Sequence, residues 1–224
     1  MPISHKFQII FIHIPKCAGT SVWSALQMEP TPNNLISFEE PVLQHLLPAQ
    51  LKGKYITETV WNSYRKITIV RNPYDRIISD FFWLRSKSRF LQVRSFDDFL
   101  NLAEKVVTEK RFSDNVYFDH FYPQHFYFEG IQYDDVLRVE NLQSDFEKLR
   151  VKYGLPHRLP LINKGKPPVL RLTSRQQERV YDLYQRDFDQ FGYDTKFSNN
   201  MPLINFWYHR SKQLTASLLR RLKG

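Results

Sequence analysis

Residues 16–21, Lys-Cys-Ala-Gly-Thr-Ser, place a cation, a thiol, a glycine and two hydroxyls in one short run. They follow an apolar stretch, Phe7, Ile9, Ile10, Phe11, Ile12 and Ile14, which Pro15 closes. Val22, Trp23, Ala25 and Leu26 then carry a helical apolar face. A strand that runs through a loop into a helix aims backbone N–H groups and the positive end of the helix dipole at one spot. Lys16 adds a full charge there. Gly19 lets the backbone come close, and Thr20 and Ser21 offer hydroxyl donors. The chemistry such a group performs is the holding of a phosphate. The bland alternative is a tight strand–helix turn with a chance lysine.

Two familiar phosphate chemistries do not fit. A Walker loop needs its lysine directly after the second glycine, whereas Lys16 precedes Gly19. A phosphatase loop with Cys17 as nucleophile needs an arginine where Trp23 stands.

A second constellation follows the apolar stretch Lys66–Val70. It reads Arg71-Asn72-Pro73-Tyr74-Asp75-Arg76-Ile77-Ile78-Ser79. Asn72 suits a helix N-cap, Pro73 the first helical position and Asp75 the first turn. Tyr74, Ile77, Ile78, Phe81 and Phe82 take the core face, with Arg76 and Ser79 on the opposite one. Arg71 at the strand end and Ser79 on the helix can therefore converge on one anion, the guanidinium as a bidentate fork and the hydroxyl as a neutral donor.

These two stretches resemble the sulfotransferases that use 3′-phosphoadenosine-5′-phosphosulfate (PAPS). The order P-K-x-x-G-T-S is similar to their loop for the 5′-phosphosulfate, and V-R-N-P-Y-D-R-x-x-S to their 3′-phosphate motif. The wording and the spacing are nearest to the carbohydrate type that includes heparan sulfate 2-O-sulfotransferase. Further likeness lies in V-L-R-V-E-N-L followed by D-F-x-x-L (136–149) and in Y-x-x-D-F-x-x-F-G-Y (184–193), so it spans most of residues 6–195. The resemblance implies an α/β fold of the P-loop-like sulfotransferase kind, with a mostly parallel central sheet flanked by helices. It implies PAPS as donor, adenosine 3′,5′-bisphosphate as product, and a carbohydrate or other hydroxyl acceptor; sulfuryl transfer requires no divalent metal and the sequence signals none, so none is expected.

Residue by residue, the resemblance puts Lys16 on the bridging and leaving oxygens and the backbone of Cys17, Ala18, Gly19 and Thr20, with Ser21, around the 5′-phosphate. Arg71 and Ser79 take the 3′-phosphate. Lys164 and Lys166, in the basic loop Asn163–Pro167, stand where relatives close a lysine-bearing loop over the donor; a plain surface loop is the alternative. His45 lies where heparan-type relatives keep their catalytic histidine. An imidazole suits proton removal near neutral pH. His13 and Glu58 are the rival bases. Cys17, at a helix start, is expected to have a lowered pKa and to be sensitive to oxidation, without a catalytic role.

Other elements must carry these groups. Pro48–Leu51 can open a short helix. Ser95 caps a helix with Phe96, Phe99, Leu100 and Ala103 inward, and Thr173–Gln176 form a capping box for a helix that ends near Gly192. Asp134–Glu140 read as a third strand. Residues 112–128, rich in Tyr, Phe and His, read as loop near the site, forming either a small second core or an acceptor platform. His120 and His125 lack a metal-like pattern around them, so no zinc site is expected.

The 224 residues are compatible with one domain, residues 1–195, followed by a basic amphipathic tail, 196–224. That tail suits either packing on its own domain or peripheral membrane contact. The net charge of +9 suits anionic ligands, whether nucleotide phosphates, an acidic glycan, nucleic acid or an acidic membrane surface, and does not choose among them; nucleic acid is not expected as a partner. A lone cysteine and the lack of an apolar run of about 20 residues lead to the expectation of a cytoplasmic protein, or a Golgi-lumenal one if the chain is a trimmed ectodomain. Two other functions remain compatible with these features: an ATP-dependent kinase of P-loop type, and a nucleotide- or glycan-binding protein without turnover.

Overall fold

The computed structural model describes residues 3–27, 45–85, 93–115, 117–160 and 170–197. It is a mixed α/β structure around a four-stranded sheet. The chain opens with β1 (Ile3–Ser4), a two-residue strand that the sequence reading did not anticipate, paired antiparallel with β2 (Ile9–Ile12). All four residues of β2 are buried, as expected of a strand covered on both faces. The helix α1 (Gly19–Ala25) follows its loop.

Helices α2 (Pro48–Leu51) and α3 (Glu58–Ser63) lead to β3 (Arg65–Val70), which lies parallel to β2 with Phe11 opposite Ile67. The helix α4 (Pro73–Arg85) leaves β3 directly. Its start is the one the sequence indicates: the Asn72 side-chain oxygen accepts from the Tyr74 N–H at 2.9 Å, and Pro73 takes the position whose N–H would have no intrahelical acceptor. After α5 (Phe96–Thr108) the aromatic stretch forms two 3₁₀ turns, Phe118–Phe121 and Gln124–Phe128. Strand β4 (Asp135–Arg138) then pairs parallel with β3, α6 (Leu142–Tyr153) returns along the sheet, and α7 (Ser174–Phe191) closes the described structure. The sheet order is β1-β2-β3-β4.

Both expected capping boxes are present, at Ser95 with Asp98 and at Thr173 with Gln176. Gly192 ends α7 at φ 61°, a conformation open to glycine at little cost. Two apolar clusters result. One joins the sheet to α1, α3 and α6 through residues such as Phe11, Val22, Trp61 and Phe146. The other joins α4, α5 and α7 through Tyr74, Phe81, Phe99 and Phe188, and Phe121 of the aromatic stretch belongs to it. The second-core reading of that stretch therefore holds for Phe121. Among the described residues no helix is long and apolar enough to cross a membrane.

Parallel pairing of β2 and β3 puts the residues after both strands at the same end of the sheet. That geometry sets Lys16 and Arg71 side by side.

Candidate active site

The loop after β2 has an unusual backbone. Lys16 and Ala18 both adopt positive φ, 66° and 59°. A side chain there costs free energy that glycine would avoid, and such outliers concentrate at ligand clamps. Turns of this kind form N–H-lined concavities suited to anions. At the start of α1 the Gly19 and Thr20 N–H groups have no intrahelical acceptor by position, and Thr20 is exposed while Ser21 is buried. The Cys17 N–H departs from expectation: it donates back to the Ile14 carbonyl at 3.3 Å, so it shapes the loop.

Gly19 has a second use. A Cβ built there would lie 2.0 Å from His13 Nε2. The close approach that glycine permits is thus to the His13 ring. His13 Nδ1 is buried without a hydrogen-bond partner among the described residues, not tied to backbone as strand histidines often are. Burial, then the nearby His45, His120 and Lys16, hold its pKa well below the ordinary histidine value.

Cys17 is not a reactive thiol. Its Sγ is buried and donates to Gln124 Oε1 at 3.5 Å and to the Pro15 carbonyl at 3.6 Å. Burial pushes its pKa up to about 12, against the pull of Arg76 and Arg71. Desolvation outweighs the helix start, which overturns the expectation of a lowered pKa.

Lys16 is only 6% exposed, and its Nζ lies 5.1 Å from the centroid of the Trp83 ring. Its carbonyl accepts from Arg71 Nη1 at 3.1 Å. Arg71, buried at 1% exposure, therefore ties the two motifs to one another directly. Gln124 locks the same junction: its amide accepts from the Arg71 N–H at 2.9 Å and donates to the Arg71 carbonyl at 2.8 Å. Asp187 of α7 in turn accepts from the N–H groups of Gln124 and His125 and bonds the His125 ring. Arg76 does not face solvent. It is buried, donating to the carbonyls of His120 and Tyr122 and lying over the Tyr184 ring. Ser79 Oγ is buried and has no hydrogen-bond partner among the described residues. Such a hydroxyl is available as a hydrogen-bond donor or acceptor.

His45 sits in a chain of rings. Its centroid is 4.9 Å from that of His13 on one side and 4.9 Å from that of His120 on the other. His120 stacks on Trp83 at 4.3 Å, which returns the chain to Lys16. The predicted base and the predicted phosphate lysine thus belong to one cluster. His45 Nδ1 donates to Asp119 Oδ2 at 2.8 Å and His120 Nδ1 to Asp80 Oδ1 at 2.6 Å. A carboxylate accepts only, so each fixes the ring proton on Nδ1 and leaves Nε2 as the basic nitrogen of the neutral ring. Burial lowers the His45 pKa from its usual value, with Asp119 opposing. The Tyr127 hydroxyl donates to the His45 carbonyl at 2.9 Å and fixes its backbone.

The other candidates fall elsewhere. Glu58 is exposed at the start of α3, paired with Lys52 at 3.3 Å, and does not join the histidine cluster. His120 and His125 separate, one to Asp80 and the other to Asp187. Lys164 and Lys166 lie outside the described residues, as does the tail beyond residue 197. Sequence reasoning gave Asp80 and Trp83 no part in the site; it put the stretch 112–128 near the site but assigned no role there to Asp119, His120 or Gln124. For Asp80 and Trp83 a signal existed, since both continue the helix that carries Ser79.

The α/β chain thus gathers a loop with two positive-φ residues, a buried lysine and arginine after adjacent strands, and a hydrogen-bonded His–carboxylate pair in one connected cluster. The family model described as "Sulfotransferase family" matches residues 1–194, and the chain belongs to that family. Its class of activity is that of a sulfotransferase, a transferase. No curated protein and no solved structure matched the chain.

Proposed function

We propose that this sulfotransferase moves the sulfuryl group of PAPS to a hydroxyl of a carbohydrate, on a P-loop-like arrangement of the sheet and its two anion-binding loops. The observation that carries the reading is the joining of Lys16 and His45 in one cluster through Trp83, His120 and His13. Donor-side charge and acceptor-side base then act across a single reacting centre. The residues present suit the donor: the strained loop with Thr20 and Ser21 for the 5′-phosphate, and the unpartnered Ser79 hydroxyl with Arg71 for the 3′-phosphate.

In the reaction, His45 takes the proton of the acceptor hydroxyl as that oxygen bonds to sulfur. The bond between sulfur and the bridging oxygen breaks, and the charge left on the departing phosphate is met by Lys16 Nζ. Asp119 keeps the His45 ring in one tautomer and steadies the imidazolium that forms. Trp83, lying against both Lys16 and His120, limits water at the lysine. Preorganised charge of this kind supplies most of the rate in such loose transition states.

Transfer of radiolabelled sulfate from PAPS, measured across polysaccharide, glycolipid and small-phenol acceptors, tests the reading. Label should pass to a polysaccharide or glycolipid, and Lys16→Ala should lower kcat by about 10²-fold or more. Full turnover by the Lys16→Ala protein would remove the proposed role of that lysine, and label on phenols alone would remove the carbohydrate acceptor.

A further inference from the structure

We infer that His45, Asp119 and His120 form a binding site for a transition-metal ion of the zinc class. One ligand atom from each of the three lies within 4.8 Å of the other two. His120 Nε2 and Asp119 Oδ1 face each other at 4.0 Å, too far for a hydrogen bond. Asp119 Oδ1 is itself buried without a hydrogen-bond partner among the described residues. A lone pair and an orphaned carboxylate oxygen therefore share a gap that neither closes.

A cation closes it. Zinc bonds imidazole nitrogen and carboxylate oxygen at about 2.0–2.1 Å, which sets neighbouring ligand atoms roughly 3.3–3.4 Å apart. The 4.0 Å between His120 Nε2 and Asp119 Oδ1 must therefore close by roughly 0.6–0.7 Å on binding. Two imidazoles and one carboxylate are a borderline donor set that favours zinc or cobalt over magnesium or calcium, and three protein ligands leave a fourth position open. The support behind the ligands is also in place. Asp80, 2% exposed, takes the His120 Nδ1–H at 2.6 Å and so turns Nε2 toward the gap. The Tyr127 hydroxyl holds the His45 backbone. Sulfuryl transfer as proposed above needs no metal, so an ion held by His45 and Asp119 removes that pair from proton transfer and acts as an inhibitor. That consequence rests on the proposed function, but the binding site itself does not.

The test uses the full chain, freed of metal by chelation and dialysis, without donor or acceptor. Titration with ZnCl₂ by calorimetry should show one tight site, and CoCl₂ should give visible absorption bands of low-coordinate cobalt. Asp119→Asn and His120→Gln should abolish both signals. Asp80→Asn should weaken zinc by about 10–100-fold, the usual effect of losing a carboxylate behind a ligand histidine. His157→Gln, at an exposed histidine remote from the cluster, should bind as wild type, and circular dichroism establishes that each variant is folded. Zinc binding that survives in folded Asp119→Asn and His120→Gln, or the absence of cobalt bands from the wild-type protein, would overturn the site. Because no turnover is read, this result and the transfer assay fail independently.

Discussion

Cys17 shows how burial decides the character of a residue. Its neighbours, Arg71 and Arg76, favour the thiolate, yet desolvation raises the pKa to about 12. The thiol form therefore persists throughout the neutral and mildly alkaline range, and only well above that range does the nucleophile appear. Iodoacetamide at pH 8.5 should label folded Cys17 roughly 10³-fold more slowly than a free cysteine, which is half ionised there; rapid labelling of the native protein would contradict its burial. Gly19 is a second case. Gly19→Ala forces a Cβ into the His13 ring, and overpacking of this kind costs about 1–3 kcal/mol. Chemical denaturation should show that loss, and His13→Ala in the same chain should recover part of it. Equal losses with and without His13 would mean that the ring is not what Gly19 accommodates. At this scale Lys16, Arg71 and Ser79 are legible in the sequence because strand–loop–helix chemistry is local. The partners of His45 are not. Asp119 is distant in the chain, and only the path of the aromatic stretch brings it to the ring.

Elements differ in how they hold the site. The start of α4 is written locally, in Asn72 and Pro73, and the capping boxes of α5 and α7 are equally local. The two 3₁₀ turns of 118–128 have no such signature, because their backbone is held by distant groups. Gln124 binds both backbone groups of Arg71, and Asp187 holds Gln124 and His125 from α7. The aromatic stretch is thus a buckle between α7 and the end of β3. Gln124→Leu leaves a buried N–H and a buried carbonyl of Arg71 unsatisfied. Such a change should cost about 2–4 kcal/mol, read as a lower denaturant midpoint. A loss under about 0.5 kcal/mol, the range of ordinary surface substitutions, would show that the buckle carries no load. The two-residue strand β1 was illegible for another reason: so short a segment has no period, and only its pairing with β2 defines it.

For the whole molecule, the decisive fact is that β2 and β3 are parallel neighbours. Each is followed by the start of a helix, so the two motifs lie beyond the same end of the sheet, where open α/β sheets place their ligands. Arg71 reaches from one loop to the backbone of the other. The sequence identified both loops but not this bridge, nor the ring chain that joins Lys16 to His45. Those contacts depend on helix α4 and the 3₁₀ turns meeting beyond the strand ends, which no local pattern encodes. The most direct measurement is a crystal structure of the protein with adenosine 3′,5′-bisphosphate. The 5′-phosphate should sit in the Lys16–Ser21 loop and the 3′-phosphate within hydrogen-bonding reach of Ser79 Oγ and Arg71. Density for the bisphosphate elsewhere, with Ser79 Oγ still unpartnered, would contradict the account.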